Sequence, residues 1–103
     1  MILHLAAFTW KKEVTADDVA ALTADLEAMA GGIPQLVSYR CGENLHLRPG
    51  GADYAVAAIV ADQAGLDAYL DSPAHHAVYD EHLGRMLESR MAAQLPVPDD
   101  ARV

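Results

Sequence analysis

The segment Tyr54-Ala-Val-Ala-Ala-Ile-Val60 constrains the fold more than any other part of the chain. It has the length of a strand, holds no charge, and is bounded by Gly50-Gly51 on one side and Asp62 on the other. A strand sends alternate side chains to opposite faces, so an unbroken apolar run belongs to a strand covered on both sides. This one therefore sits in the interior of a sheet. Ile2 to Trp10 reads in the same way, with Ile2, His4, Ala6, Phe8 and Trp10 on one face and Leu3, Leu5 and Ala7 on the other.

The remaining elements follow from their punctuation. Thr15-Ala-Asp-Asp18 is a capping box with Asp in the usual glutamate place, followed by Val19, Leu22, Leu26 and Met29 at helical spacing and closed by Gly31-Gly32. After Ile33-Pro34, the β-rich run Leu36 to Cys41 predicts a second strand that stops at Gly42, with Arg48-Pro49-Gly50-Gly51 in the loop beyond it. Asp62 caps a short helix through Leu66, Tyr69 and Leu70. Ser72-Pro73 then supplies an N-cap and a first-position proline for a second helix, which carries Val78, Tyr79, His82, Leu83, Met86 and Leu87 toward a core. Met91 to Leu95 predicts the last strand.

The order β, α, β, β, α, β is a split βαβ arrangement: an α+β, ferredoxin-like domain with a four-stranded antiparallel sheet and helices on one face. The other face of such a sheet is bare. Packing it against a second copy, to form a dimeric α/β barrel, accounts for strands apolar on both sides. With 103 residues, of which 52% are hydrophobic, the chain holds one domain and more apolar surface than one small core hides. We assign residues 1–97 to the barrel domain and 98–103 to a short acidic tail.

The net charge of -8, with only Lys11 and Lys12 adjacent among the cations, leaves no basic stripe for nucleic acid or an anionic membrane surface. No apolar run reaches the ~20 residues of a membrane span. One cysteine, Cys41, cannot form an internal disulfide, and Met-Ile-Leu-His-Leu has the form of a strand rather than a secretory leader, so the expected location is cytoplasmic.

Tyr69 near the end of one helix and His75 near the start of the next are separated by the Ser72-Pro73 turn, a spacing that allows phenol and imidazole to meet. The positive end of a helix dipole disfavours the imidazolium and leaves a neutral base, while a phenol can steady a developing oxyanion. Both residues also suit plain structural roles, as a core aromatic and a helix-start packing group. His75, Tyr79, His82 and Met86 recur at i, i+4, i+7 and i+11, one stripe of a helix that either lines a ligand or packs on the sheet. His76 is expected to point elsewhere and His46 to lie exposed in a polar loop. If His4 faces the helices, Ala6 and Phe8 do too, with Val56 and Ala58 on the neighbouring strand and Leu22 and Leu26 on the covering helix. Small side chains at Ala6 and Ala58 leave room for a small, mostly apolar ligand with one or two carbonyl or hydroxyl groups. No His-x-x-x-His pair or cysteine cluster points to a metal, and none is expected; nor is a cofactor.

The run Ala68-Tyr-Leu-Asp-Ser-Pro-Ala-His75 resembles the Tyr, three residues, Pro-Ala-His pattern of the stress-responsive dimeric α/β barrel (Dabb) family. His4, Ile33-Pro34, Gly42 and Tyr54 add to the resemblance, which extends over residues 2 to 95. It implies a ferredoxin-like homodimer. In the family's olivetolic acid cyclase-type polyketide cyclases a Tyr and a His at the positions of Tyr69 and His75 act as an acid/base pair, and His4 matches a further pocket histidine. Two departures stand out: a third-strand histidine of those enzymes corresponds to Val56, and an acidic residue of the last strand to Ala93. Three functions follow: a cofactor-independent cyclase or lyase, a non-catalytic stress-responsive ligand-binding dimer, and a cofactor-independent monooxygenase.

Overall fold

The computed structural model describes residues 1–103. Strand β1 (Ile2–Trp10) leads into helix α1 (Ala16–Gly31), then β2 (Leu36–Glu43) and β3 (Tyr54–Val60). Helices α2 (Gln63–Leu70) and α3 (Pro73–Val78), a π-helical turn (Tyr79–Leu83) and the short α4 (Gly84–Met86) precede β4 (Leu87–Pro96). The strands form one antiparallel sheet in the order β2-β3-β1-β4, the ferredoxin-like α+β arrangement, with β3 and β1 inside it.

Local chemistry sets the helix starts. Thr15 Oγ1 accepts from the Asp18 amide at 3.2 Å while the Asp18 carboxylate accepts from the Thr15 amide at 3.0 Å, closing the capping box. Ser72 Oγ accepts from the His75 amide at 3.1 Å, and Pro73 holds the first helical position. His75 is thereby fixed in the first turn of α3, whatever its ring does.

The strand register arranges the helix-facing side of the sheet as a grid. Gln94, His4, Ala58 and Tyr39 form one row across it; Ala92, Ala6, Val56 and Cys41 the next; Arg90, Phe8, Tyr54 and Glu43 the third. Leu22 and Leu26 of α1 pack on this face with Phe8, Tyr54, Val56 and Ala58 in one buried cluster. The helices do not extend over β4, whose side chains are almost all exposed.

On the outer face the chain partly covers itself. Val97 donates its amide to the Met1 carbonyl, the Met1 amino group lies 3.6 Å from Asp99, and Val103 exchanges two hydrogen bonds with Ser38 Oγ on β2. Residues 97–103 thus cross from β4 to β2 along the row Leu95, Leu3, Ile59, Ser38, and Ile59 is buried although it faces away from the helices. The rows beyond, Ala93-Leu5-Ala57 and Met91-Ala7-Ala55, stay uncovered, with Leu5 and Met91 among the exposed large apolar residues.

Two elements differ from the pattern in the sequence. β4 starts at Leu87, which helical spacing assigns to the preceding helix, because Leu87 pairs with Trp10 and the ladder to β1 runs on to Pro96. The π-turn inserts one extra residue per turn, so the side chains after it rotate by about 100° relative to a continuous α-helix. The regular stripe His75, Tyr79, His82 becomes His75, Tyr79, Leu83.

Candidate functional site

A cavity of about 380 Å³ lies between the helices and the inner face of β1 and β3, with exposed Arg90 and Ala92 of β4 along its open side. Its floor is Ala6, Val56 and Ala92, the grid's middle row, where short side chains leave space under the helices. Phe8 and Leu26 wall it on one side, and Tyr69, Leu70 and His75 on another.

Tyr69 is the hub of the polar wall. Its ring, 2% exposed, meets His75 edge to face at 5.2 Å between centroids, His4 at 6.1 Å and Tyr39 at 6.4 Å. Tyr69 and His75 thus meet through their rings, without a hydrogen bond between their side chains. Burial pushes the Tyr69 hydroxyl up to about 12, so it stays protonated. His75 is held below the ordinary imidazole value, first by burial and then by the nearby charges of His76, His4 and Arg90, against an opposing pull from Asp71. His4 is lowered too, by burial and then by Arg90. Both imidazoles are therefore neutral at pH 7, which leaves His75 able to accept a proton. Gln94 donates its amide to His4 Nδ1 at 2.9 Å, leaving the ring proton on Nε2.

Of the residues singled out from sequence, the structure brings Tyr69, His75, His4, Ala6, Phe8, Leu26, Val56 and Tyr79 to the cavity. Three are elsewhere. Leu22 and Ala58 are fully enclosed members of the buried cluster between helices and sheet. His82 leaves the stripe at the π-turn and turns to α1, where Nε2 donates to Asp25 Oδ2 at 2.6 Å. Its Nδ1 is buried without a partner. His76, expected to point away, is exposed but stands at the cavity's rim.

Tyr39, Arg90 and Asp80 also line the cavity and escape the sequence reading. Period-two alternation from Cys41 back to Tyr39, and from Gln94 back to Arg90, is the signal that would have found the first two. Outside the cavity, Asp25, Glu81 and His82 bring ligand-type atoms within 4.8 Å of one another. The short Asp25–His82 hydrogen bond explains that cluster as a clamp between α1 and the π-turn.

The fold and site define a class: a ferredoxin-like α+β domain whose helices and sheet enclose a cavity of small-molecule size. Residues 2–97 match the family described as the stress responsive A/B barrel domain, Dabb, and the chain belongs to that family. A dimeric ferredoxin-like protein of unknown function from Thermobifida fusca is 35% identical, with 93% of this chain and 90% of that one aligned at a TM-score of 0.87. The fold is shared with hydroxynitrile lyase from Passiflora edulis, at 14% identity, TM-score 0.80, and 97% and 95% coverage of the two chains. It is shared too with an antibiotic biosynthesis monooxygenase, at 9% identity, TM-score 0.72, and 95% and 99% coverage. No curated protein matches the sequence. No helix is long and apolar enough to cross a membrane.

Proposed function

We propose that this Dabb protein binds a small carbonyl compound in the cavity and acts on it as a cofactor-independent cyclase or lyase. The observation that carries this reading is the contact of a neutral, half-buried His75 with the protonated Tyr69 on one cavity wall. His75 takes a proton from carbon next to a ligand carbonyl, and the electron pair moves to the carbonyl oxygen, which accepts a hydrogen bond from Tyr69. The enolate carbon then bonds to a second carbonyl carbon, and the resulting alkoxide recovers the proton from His75. No outside oxidant or reductant enters the balance.

The working unit is a homodimer. Support comes from the Thermobifida fusca relative, which is described as dimeric, and from the uncovered alanine-rich outer rows around Leu5 and Met91. A flat apolar sheet face of this kind suits a symmetric contact with a second copy.

The test is cyclisation of a linear β-triketone followed by ultraviolet absorbance. Tyr69→Phe, which keeps the ring and removes the hydroxyl, is expected to slow it by about 10²- to 10³-fold, as for other oxyanion donors. The missing Tyr69–His75 hydrogen bond favours one competing reading, a pocket that only stores its ligand. Binding of the triketone without any acceleration by the wild-type protein selects that reading.

A further inference from the structure

The polar groups that border the cavity are unequal in kind. Arg90, exposed on β4, lines it and has neither an ion pair nor a hydrogen bond within the chain; Arg40 and Arg48 are unpaired too, but neither borders the cavity. An unpaired guanidinium facing a cavity, in a chain of net charge -8, is a site for a planar anion. Tyr39 Oη is buried against the Tyr69 hydroxyl, whose value it lowers in opposition to burial; it makes no well-formed hydrogen bond elsewhere in the chain, and its side chain lines the same cavity. His4 offers Nε2–H because Gln94 occupies Nδ1. These groups are donors, as is the Tyr69 hydroxyl; the one carboxylate on the wall, Asp80, is exposed. A donor-rich wall is satisfied by a ligand rich in acceptors.

The grid also fixes how those acceptors are spaced. Arg90 and Tyr39 occupy opposite edge strands and rows separated by the apolar row Ala92, Ala6, Val56. The edges are three strand spacings apart, about 14 Å between backbones. Long side chains shorten that gap without closing it, so the two polar ends of a ligand must be joined by an apolar body.

We propose that the cavity takes an organic acid whose carboxylate pairs with Arg90 and whose distant carbonyl oxygen accepts from Tyr39 and Tyr69, with an apolar spacer over Ala6 and Val56. The proposal rests on the reading of this cavity as the ligand site and names the substrate class. It assigns Arg90 and Tyr39 as binding residues that set specificity.

The experiment compares 4-acetylbenzoate with its neutral isostere 4-acetylbenzamide, by titration with methyl resonances of Val56 and Leu26 as reporters. The acid is expected to bind the wild-type protein about 10- to 150-fold more tightly than the amide, the range for a hydrogen bond to a charged group. Arg90→Gln should abolish that preference, Arg90→Lys should retain part of it, and Tyr39→Phe should weaken both probes by about threefold to tenfold. Arg90 is exposed on an edge strand, so its variants are expected to fold. Equal affinities for acid and amide, or a preference that survives Arg90→Gln, overturn the organic-acid assignment; shifts of both methyls by the amide would then leave the cavity reading standing. If neither probe moves those methyls, both fail.

Discussion

Replacing His75 by Ala separates chemistry from packing, because the structure sets a different size for each loss. The His75 amide keeps its bond to Ser72 Oγ in the variant, and Pro73 still fixes the entry of α3, so the helix start survives. What disappears is the imidazole and its edge-to-face contact with Tyr69, at 5.2 Å between centroids. Such a contact contributes about 0.5–1.5 kcal/mol. At about 4–8 °C per kcal/mol for a domain of this length, Tm is expected to fall by at most about 12 °C. Loss of a general base, in contrast, costs about 10²- to 10⁴-fold in rate, or roughly 2.7–5.5 kcal/mol of barrier. Melting followed by circular dichroism and cyclisation of a β-triketone measure the two on one preparation. A folded variant that keeps the wild-type rate refutes the assignment of His75 as the base, and a much larger fall in Tm at full rate makes it a packing residue.

The two depressed histidines give stability a pH dependence of known sign. Above about pH 6.5 His4 and His75 are neutral folded or unfolded; below it the unfolded chain takes up protons first, so Tm should fall as pH drops from 6.5 toward their folded values. A Tm that is flat or rises between pH 6.5 and 5 contradicts their burial. Leu22→Ala removes a fully enclosed side chain and should cost about 2–5 kcal/mol while the folded protein keeps its affinity for 4-acetylbenzamide; weakened binding with an unchanged Tm would return Leu22 to the cavity wall. Leu5→Arg on the uncovered outer face should give a folded monomer by light scattering, and a persisting dimer mass would put the interface elsewhere.

Much of this architecture is legible in the sequence because its signals are local. The capping box at Thr15 and Asp18 and the Ser72-Pro73 start are determined within four residues, and the apolar run Tyr54 to Val60 declares an inner strand by alternation alone. What escapes depends on contacts between distant segments. The π-turn, which exchanges His82 for Leu83 at the cavity, leaves no mark in hydrophobic spacing, because both phases place apolar residues on the core. Arg90 belongs to β4 only through its pairing with Phe8. The fold-back of residues 97–103 rests on Ser38, 65 positions from Val103 in the chain. Leu22 and Leu26 share one helix face, and only the packing against β3 and the cavity tells core from wall.

The central claim, that Tyr69 and His75 meet a carbonyl ligand in this cavity, is tested most directly by a crystal structure with 1-phenylbutane-1,3-dione. The expected result is a carbonyl oxygen within about 3.2 Å of Tyr69 Oη and the central methylene carbon within about 3.5 Å of a His75 ring nitrogen. A diketone lodged on the outer face, or held in the cavity with neither side chain in reach, would contradict the account.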